Sequence, residues 1–524
     1  MRKLFPLATA ACALLANTAA YAQQAGGPPT QQDGEQTSSP AAPPPADQGN
    51  TVRAPGAPGE AVASPTNPAS AQSNGFPPEA IGFGARLGPR YAVSRWAEDW
   101  SFLRDTAKRK ASFDPLKFIP LDEGGSTYLT LSGQERLRVE TSGNPGLRDV
   151  RLQDRELIRT FVGADLHIGE HVRFYGELAS GQQFGRAPMN PNERNDLYVQ
   201  QLFGEVRGRV AGADAGVIFG RQHFLDGPIQ LVSTRENNNI HTTLQGVRAY
   251  ANWKRVRVDL FDLRFVDLGL DAFDDNVSDS THFRGGLVSM ILTPQAARRP
   301  LFLDAFFYNS VDDNRRWGVR TGREERNFYG LRAHGALGPA SIDWTGTYQS
   351  GNYETRQLSA WSVYLNQSIS LSSKGWRPAV GVHLDAGSGG GAFGDGTLHN
   401  ADFLFGVNPY LNDSTAFGFI NLMDVSPTLT FTPAPKVTVR TEYDFLRRLN
   451  QNDAVYSGTK AAYAGTQLVS GHDVGQQARL RVAWAVNPHI TLAGTLEHVF
   501  AGDVLREAGF HNSTYTASQI IFKF

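Results

Sequence analysis

From about residue 120 to the C-terminus, apolar and polar positions alternate in short segments separated by turn residues. Val437, Val439, Thr441, Tyr443 and Phe445 alternate with Thr438, Arg440, Glu442 and Asp444. Ala478, Leu480, Val482, Trp484 and Val486 alternate with Gln477, Arg479, Arg481 and Ala483. Successive side chains of a strand point to opposite faces, so each segment carries one apolar and one charged face. In a soluble sandwich the charged face meets water outside. In an outer-membrane barrel the charged face lines a wet lumen and the apolar face meets lipid.

Connection lengths choose between the two. Short links stand near Gly169-Glu170, Gly208–Ala213, Trp253-Lys254, Pro294–Arg299, Gly338-Pro339, Lys374–Trp376, Pro433–Pro435 and Asn487-Pro488. Between them lie the polar stretches Thr141–Asp154, Gly181–Asp196, His223–Thr243, Asp267–Thr281, Ser310–Arg326, Gly351–Arg356, Gly387–Gly418, Arg448–Val474 and Ala501–Ser513. Short and long alternate, which predicts an all-β transmembrane antiparallel barrel of about 18 strands with both ends on the short-turn side. In the last segment Ile520, Phe522 and Phe524 share a face, and a terminal strand ending in Phe resembles the assembly signal of outer-membrane proteins.

The chain before the barrel differs in kind. Arg2 and Lys3 precede an apolar run from Leu4 to Ala16 and an Ala20-Tyr21-Ala22 site, so residues 1–22 read as a signal peptide. Residues 23–76 are Pro, Ala, Gln, Ser and Thr with almost no large apolar side chains, a composition expected to stay disordered in the periplasm. Residues 77–125 form a pre-barrel segment in which Trp96, Trp100 and Leu103 stand at helical spacing, predicting a short helix over Arg95 to Lys110 that either plugs the periplasmic mouth or packs on the rim; the barrel follows over 126–524.

Composition narrows the chemistry. No later run of about 18 apolar residues exists to make a spanning helix. The one cysteine, Cys12, lies in the signal peptide, and a net charge of -1 points to no nucleic acid. Among the 50 basic residues there are roughly four Arg for every Lys. Arg grips carboxylates with two parallel hydrogen bonds, and many of these Arg fall in the polar phase. Opposite Leu131, Leu137 and Val139, the first strand presents Gln134, Arg136, Arg138 and Glu140. The same phase takes Arg159, Arg173, Arg248, Arg257, Arg440, Arg479 and Arg481, with Asp165, Glu177, Asp259, Glu442, Asp444 and Glu497. Such a mixed ladder either stiffens a wide barrel with ion pairs or selects anions in transit.

Other motifs are set aside. His167-Ile168-Gly169-Glu170-His171 has the H-x-x-E-H pattern, but Gly169 belongs to a tight turn, not to a helix. Asp271, Asp274, Asp275, Asn276 and Asp279 lack EF-hand spacing and read as a solvated acidic loop. No Ser/His or Asp/His set clusters in the sequence, so the protein is read as no enzyme, with no cofactor or metal.

Several blocks together resemble the alginate-export family of porins. They are Ser94–Trp100, Asp114–Leu121, Leu131–Glu140, Phe219-Gly220-Arg221-Gln222, Leu231–Ser233 with Asn238-Asn239, Gln245–Arg248, Glu325-Arg326 with Tyr329–Arg332, and Arg447-Arg448 leading to Asp453 and Tyr456. The resemblance runs from about Ser94 to Phe524. It implies a single-chain barrel whose Arg-rich constriction passes a uronate polysaccharide outward, with Arg136, Arg138, Arg221, Arg248, Arg332 and Arg447 lining the pore. Two departures touch the substrate: Leu244-Gln245 stands where the family has Phe-Asp, and Ser388-Gly389-Gly390 lacks an expected carboxylate. The expected partners are outer-membrane lipid, an anionic polysaccharide and periplasmic secretion machinery, around a monomeric barrel. Uptake of small organic anions is the alternative.

Overall fold

The structure is a computed structural model that describes residues 86–87, 91–294, 299–406 and 410–524. The signal peptide and the Pro-rich segment lie outside the described residues. The alternating segments form eighteen antiparallel strands. They are β1 (Thr127–Gly143), β2 (Gln153–Ile168), β3 (Val172–Gly185), β4 (Asn195–Val210), β5 (Ala213–Gln222) and β6 (Leu244–Asn252). Next come β7 (Val256–Asp267), β8 (Thr281–Ile291), β9 (Leu301–Trp317), β10 (Arg320–Leu337), β11 (Ala340–Tyr353) and β12 (Arg356–Ser370). The circuit ends with β13 (Ala379–Gly387), β14 (Leu422–Ala434), β15 (Val437–Arg447), β16 (Asp473–Ala485), β17 (Ile490–Ala501) and β18 (Ser513–Lys523). Each strand pairs with its chain neighbours, and β18 pairs with β1 from Thr514↔Gly143 to Lys523↔Gln134, which closes the wall. Closure leaves no sheet edge, as a barrel in lipid requires.

The faces are inverted relative to a soluble protein. Leu202, Phe219, Leu260, Leu331 and Trp484 are exposed on the outside, whereas Arg136, Arg440 and Arg479 are buried inside. Ile520 is exposed and Ile521 and Lys523 are buried, so the last strand obeys the same phase. The short links fall where the pattern put them; Gly169 turns between β2 and β3 at φ +60°, a conformation that favours glycine.

Three expectations are corrected. Ser310–Arg326 is not a loop: β9 and β10 run on as a hairpin to Trp317 and Arg320, joined through Gly318-Val319. Its polar residues reflect strands that continue above the apolar band, where both faces are polar and Arg315 pairs with Asp402 at 2.7 Å. The segment from Arg95 to Lys110 forms three short 3₁₀ turns in place of one helix. Of the two places open to it, the segment takes the bore: Trp96 packs against Tyr175, Phe203 and Ile218, all in the inward phase of β3–β5. Arg173, two residues before Tyr175 on β3, donates to the Trp96 carbonyl and lies 5.4 Å over the Trp96 ring.

The third correction concerns the lumen, which is not wet throughout. The His223–Thr243 connection and residues 388–421 fold back into the barrel, and most of their described residues are buried. Phe224, Leu231 and Val232 from the first and Phe403, Phe405 and Phe417 from the second build one apolar core with Phe261, Phe283 and Tyr308 of the inner wall. The Phe224 ring lies tilted 4.3 Å from Phe261 and edge-on 5.4 Å from Phe283. Burying each such ring contributes about 1.5–3 kcal/mol, so the inward-folded loops are held as firmly as a soluble core.

The constricted lumen

The inward phase of β1 and β2 brings Arg136 and Arg159 face to face as cross-strand partners, both with no solvent exposure. Two adjacent guanidiniums repel unless something between them accepts hydrogen bonds, and the folded-in loop supplies it. Arg136 donates to the carbonyls of Glu236 (3.0 Å) and Asn237 (2.5 Å) and to Oδ1 of Asn239 (2.9 Å). Arg159 donates to the carbonyls of Glu236 (2.7 Å) and Asn238 (2.9 Å) and to the Glu236 carboxylate (2.5 Å). Arg138 pairs with Glu140 at 2.7 Å and donates to the Tyr515 hydroxyl at 2.8 Å. The pair therefore clamps one stretch of loop, 236–239, against the wall.

The loop's titrating groups are tuned by that clamp. Burial pushes His241 down to about 4, although its Nε2 lies 2.6 Å from the Glu236 carboxylate. Burial also pushes His223 well below its usual value. Glu236 would be raised by burial, yet the Arg159 guanidinium holds it well below the carboxylate range. Ser94 of the pre-barrel segment reaches His223 Nδ1 at 3.0 Å, so the periplasmic and extracellular obstructions touch inside the bore.

Arg248 and Arg257 follow a second pattern. Arg248 donates to Asp259 at 2.6 and 2.9 Å, both guanidiniums contact Asp226 of the loop, and all four groups are buried. Arg332 makes a fork to Asp343 at 2.7 and 2.8 Å and reaches the Gly227 carbonyl at 3.2 Å.

On β15 and β16 the ladder is denser. Arg440 donates to Glu442 at 2.9 Å and contacts His383 at 2.8 Å; Arg479 contacts Glu442 and reaches the Tyr410 carbonyl at 3.2 Å. Arg481 binds Asp413, on the second folded-in loop, at 2.7 Å. Exposure separates these cations. The Arg159 and Arg479 side chains are 0% and 1% exposed, while Arg332, Arg440 and Arg481 keep 9%, 9% and 11%. The first two are sealed under loop; the other three are largely covered but keep a small accessible fraction.

Two expected pore-lining residues are elsewhere. Arg221 shares the outward phase of Val217 and Phe219, opposite Leu202, and donates to the Val199 carbonyl at 3.0 Å near the extracellular end of the wall. Arg447 shares the outward phase of Tyr443 and Phe445. The inward neighbour is Arg448, 1% exposed, which donates to the carbonyls of Gly471 (2.8 Å) and Asp453 (3.1 Å). Arg448 and the buried Arg326, which forks onto Glu324, escaped the sequence reading. Both stand at the ends of stretches read as loops, Ser310–Arg326 and Arg448–Val474, so the pattern assigns them no strand phase.

The remaining motifs have local roles. His167 stacks on Tyr128 with centroids 4.4 Å apart, and His171 lies past the turn, where its Nδ1 donates to the Arg207 carbonyl at 3.1 Å. Asp274 and Asp275 accept backbone N–H groups of their own loop. Asp453 accepts from Gly390 N at 2.7 Å, Asn400 at 2.6 Å and Tyr456 at 2.8 Å, and so ties the glycine run to the next loop.

Comparison with known proteins agrees with this architecture. The chain resembles in fold OccAB1 of Acinetobacter baumannii, at 13% identity, TM-score 0.50, covering 76% of this chain and 97% of that one. OccK8 (OprE) of Pseudomonas aeruginosa gives 10% identity, TM-score 0.50, 76% and 98%. No curated protein matches the chain closely enough to stand as a relative. The family model described as Alginate export matches residues 127–519, nearly the whole barrel. The chain is a member of the alginate export family, an outer-membrane porin of eighteen strands.

Proposed function

We propose that this porin passes an anionic, uronate-type polysaccharide or oligosaccharide through its lumen, and that Arg332, Arg440 and Arg481 are the rungs that meet it. The observation that supports the reading is a split in exposure: of the inward guanidiniums expected to line the pore, Arg332, Arg440 and Arg481 keep about a tenth of their side-chain surface accessible, while Arg136, Arg138, Arg159, Arg248 and Arg479 keep almost none. Sealed cations neutralise loop carbonyls and carboxylates and hold the constriction's shape. Each of these rungs is already half-satisfied by a carboxylate, so a passing sugar carboxylate gains only a weak, replaceable contact. Weak successive contacts suit transport, since a tightly held chain does not leave.

Uptake of small organic anions is the second reading. It is favoured by the same observation that limits the first: loops fill much of the bore, and a polymer needs more room than a small solute. One measurement separates them. In a planar bilayer, the export reading expects anion preference and block of single-channel current by polymannuronate but not by neutral glucan. Block by monomeric uronate with indifference to the polymer supports uptake; cation preference ends both. Arg440→Glu and Arg481→Glu are each expected to shift the reversal potential toward cations, and unchanged potentials in both would remove these rungs.

A further inference from the structure

On the outside of β9–β12, Phe307, Tyr329, Tyr348 and Trp361 are partners in register, 41–52% exposed. The next outward residues along the same strands, Asn309, Asn327, Ser350 and Ser359, are also partners in register. An aromatic row followed by a polar row marks the outer boundary of the apolar band. On β15 the same change runs from Phe445 to Arg447.

Between these strands the wall is notched. β13 and β14 stop at Gly387 and Leu422, because residues 388–421 turn into the bore. The notch holds a hollow of about 440 Å³ floored by Ser388-Gly389, walled by Trp361 on one side and by Leu449–Asn452 and His472 on the other. A side chain on Gly389 would strike Asn421.

We propose that this hollow binds the phosphorylated sugar headgroup of an outer-leaflet glycolipid, with Arg447 as its phosphate ligand. The groups around it have capacity left over. Gln451 spends Oε1 on Gly471 N at 3.2 Å and keeps its NH₂, while the Asn452 side chain and the Trp361 indole N–H have no partner among the described residues. His472 donates Nδ1–H to the Arg448 carbonyl at 2.7 Å, which leaves Nε2. Arg447 is exposed and also lacks a partner among the described residues. It ends β15 in the outward phase, two residues before Leu449 of the hollow's lining. An indole face takes the apolar side of a sugar ring, amides take hydroxyls, and a guanidinium takes a phosphate with two donors. The transported polymer is the weaker candidate, because Trp361 and Arg447 face away from the bore.

The test uses the whole protein in phosphatidylcholine nanodiscs titrated with lipid A that carries its inner-core sugars, bound glycolipid being counted by mass spectrometry. Wild type is expected to saturate, Arg447→Glu to weaken binding about tenfold, the scale of one lost charge-assisted bond, and Trp361→Ala to weaken it less. Single-channel conductance stays as in wild type, since nothing in the bore is changed. Arg447 is exposed and unpaired among the described residues, so its variant decides the matter even where Trp361→Ala fails to fold. No binding by wild type, equal binding by Arg447→Glu, or competition by polyuronate would overturn the site.

Discussion

Two arcs of the inner wall hold folded-in loops by opposite means. On β7–β9 the inward residues Phe261, Phe283, Phe306 and Tyr308 pack against Phe224 and Phe405, and the hold is apolar area and ring contact. On β1 and β2 the inward residues Arg136 and Arg159 hold loop 236–239 through directed hydrogen bonds to its backbone. The apolar hold tolerates small shifts, because dispersion is non-directional. The guanidinium hold is geometrically strict, and losing one member strands the other's partners without water.

That contrast sets the order of expected effects. Arg159→Ala should act most strongly: it leaves Glu236 buried without its cation, costs about 3–5 kcal/mol, and frees the loop, so single-channel conductance should rise. A conductance equal to wild type would mean that the loop is held by its apolar neighbours alone. Phe261→Ala removes a ring at about 3–4 kcal/mol but should lower thermal stability, read by heat-modifiable migration, with a smaller change in conductance; the reverse ranking would erase the distinction between the arcs. The smallest effect is on pH. His241 and His223 titrate lower when the loop is packed than when it is free, and Glu236 does too. A freed loop therefore binds protons first, and the packed state loses stability as pH falls from about 6.5 toward 4. Conductance should rise over that window, and a flat profile would show that the loop does not release there.

Much of this was legible from pattern alone. Period-two alternation gave the strand count, every short turn and the inward phase of Arg136, Arg159, Arg440 and Arg479. The alternation that puts Tyr443 and Phe445 on the lipid side puts Arg447 there too; family likeness pointed inward, and the phase was the better guide. Arg221 repeats the lesson beside Phe219. The folded-in loops were not legible. Their few apolar residues, such as Phe224, Leu231, Val232 and Ile240, sit among Asn, Gln, Thr and His without periodicity, so nothing local distinguishes a loop solvated outside from one packed within. The polar run after Ser310 failed for the opposite reason: strands above the apolar band need no apolar face, and alternation fades where the ladder continues.

The hydrogen bond between Ser94 and His223 joins a segment that enters from the cell's interior side to a loop that belongs to the surface. Because the two stoppers meet end to end, neither moves without loading the other. Leu225 of that loop also packs on the cluster around Trp96, so a tug on the inner segment would be felt by residues hung from the outer rim.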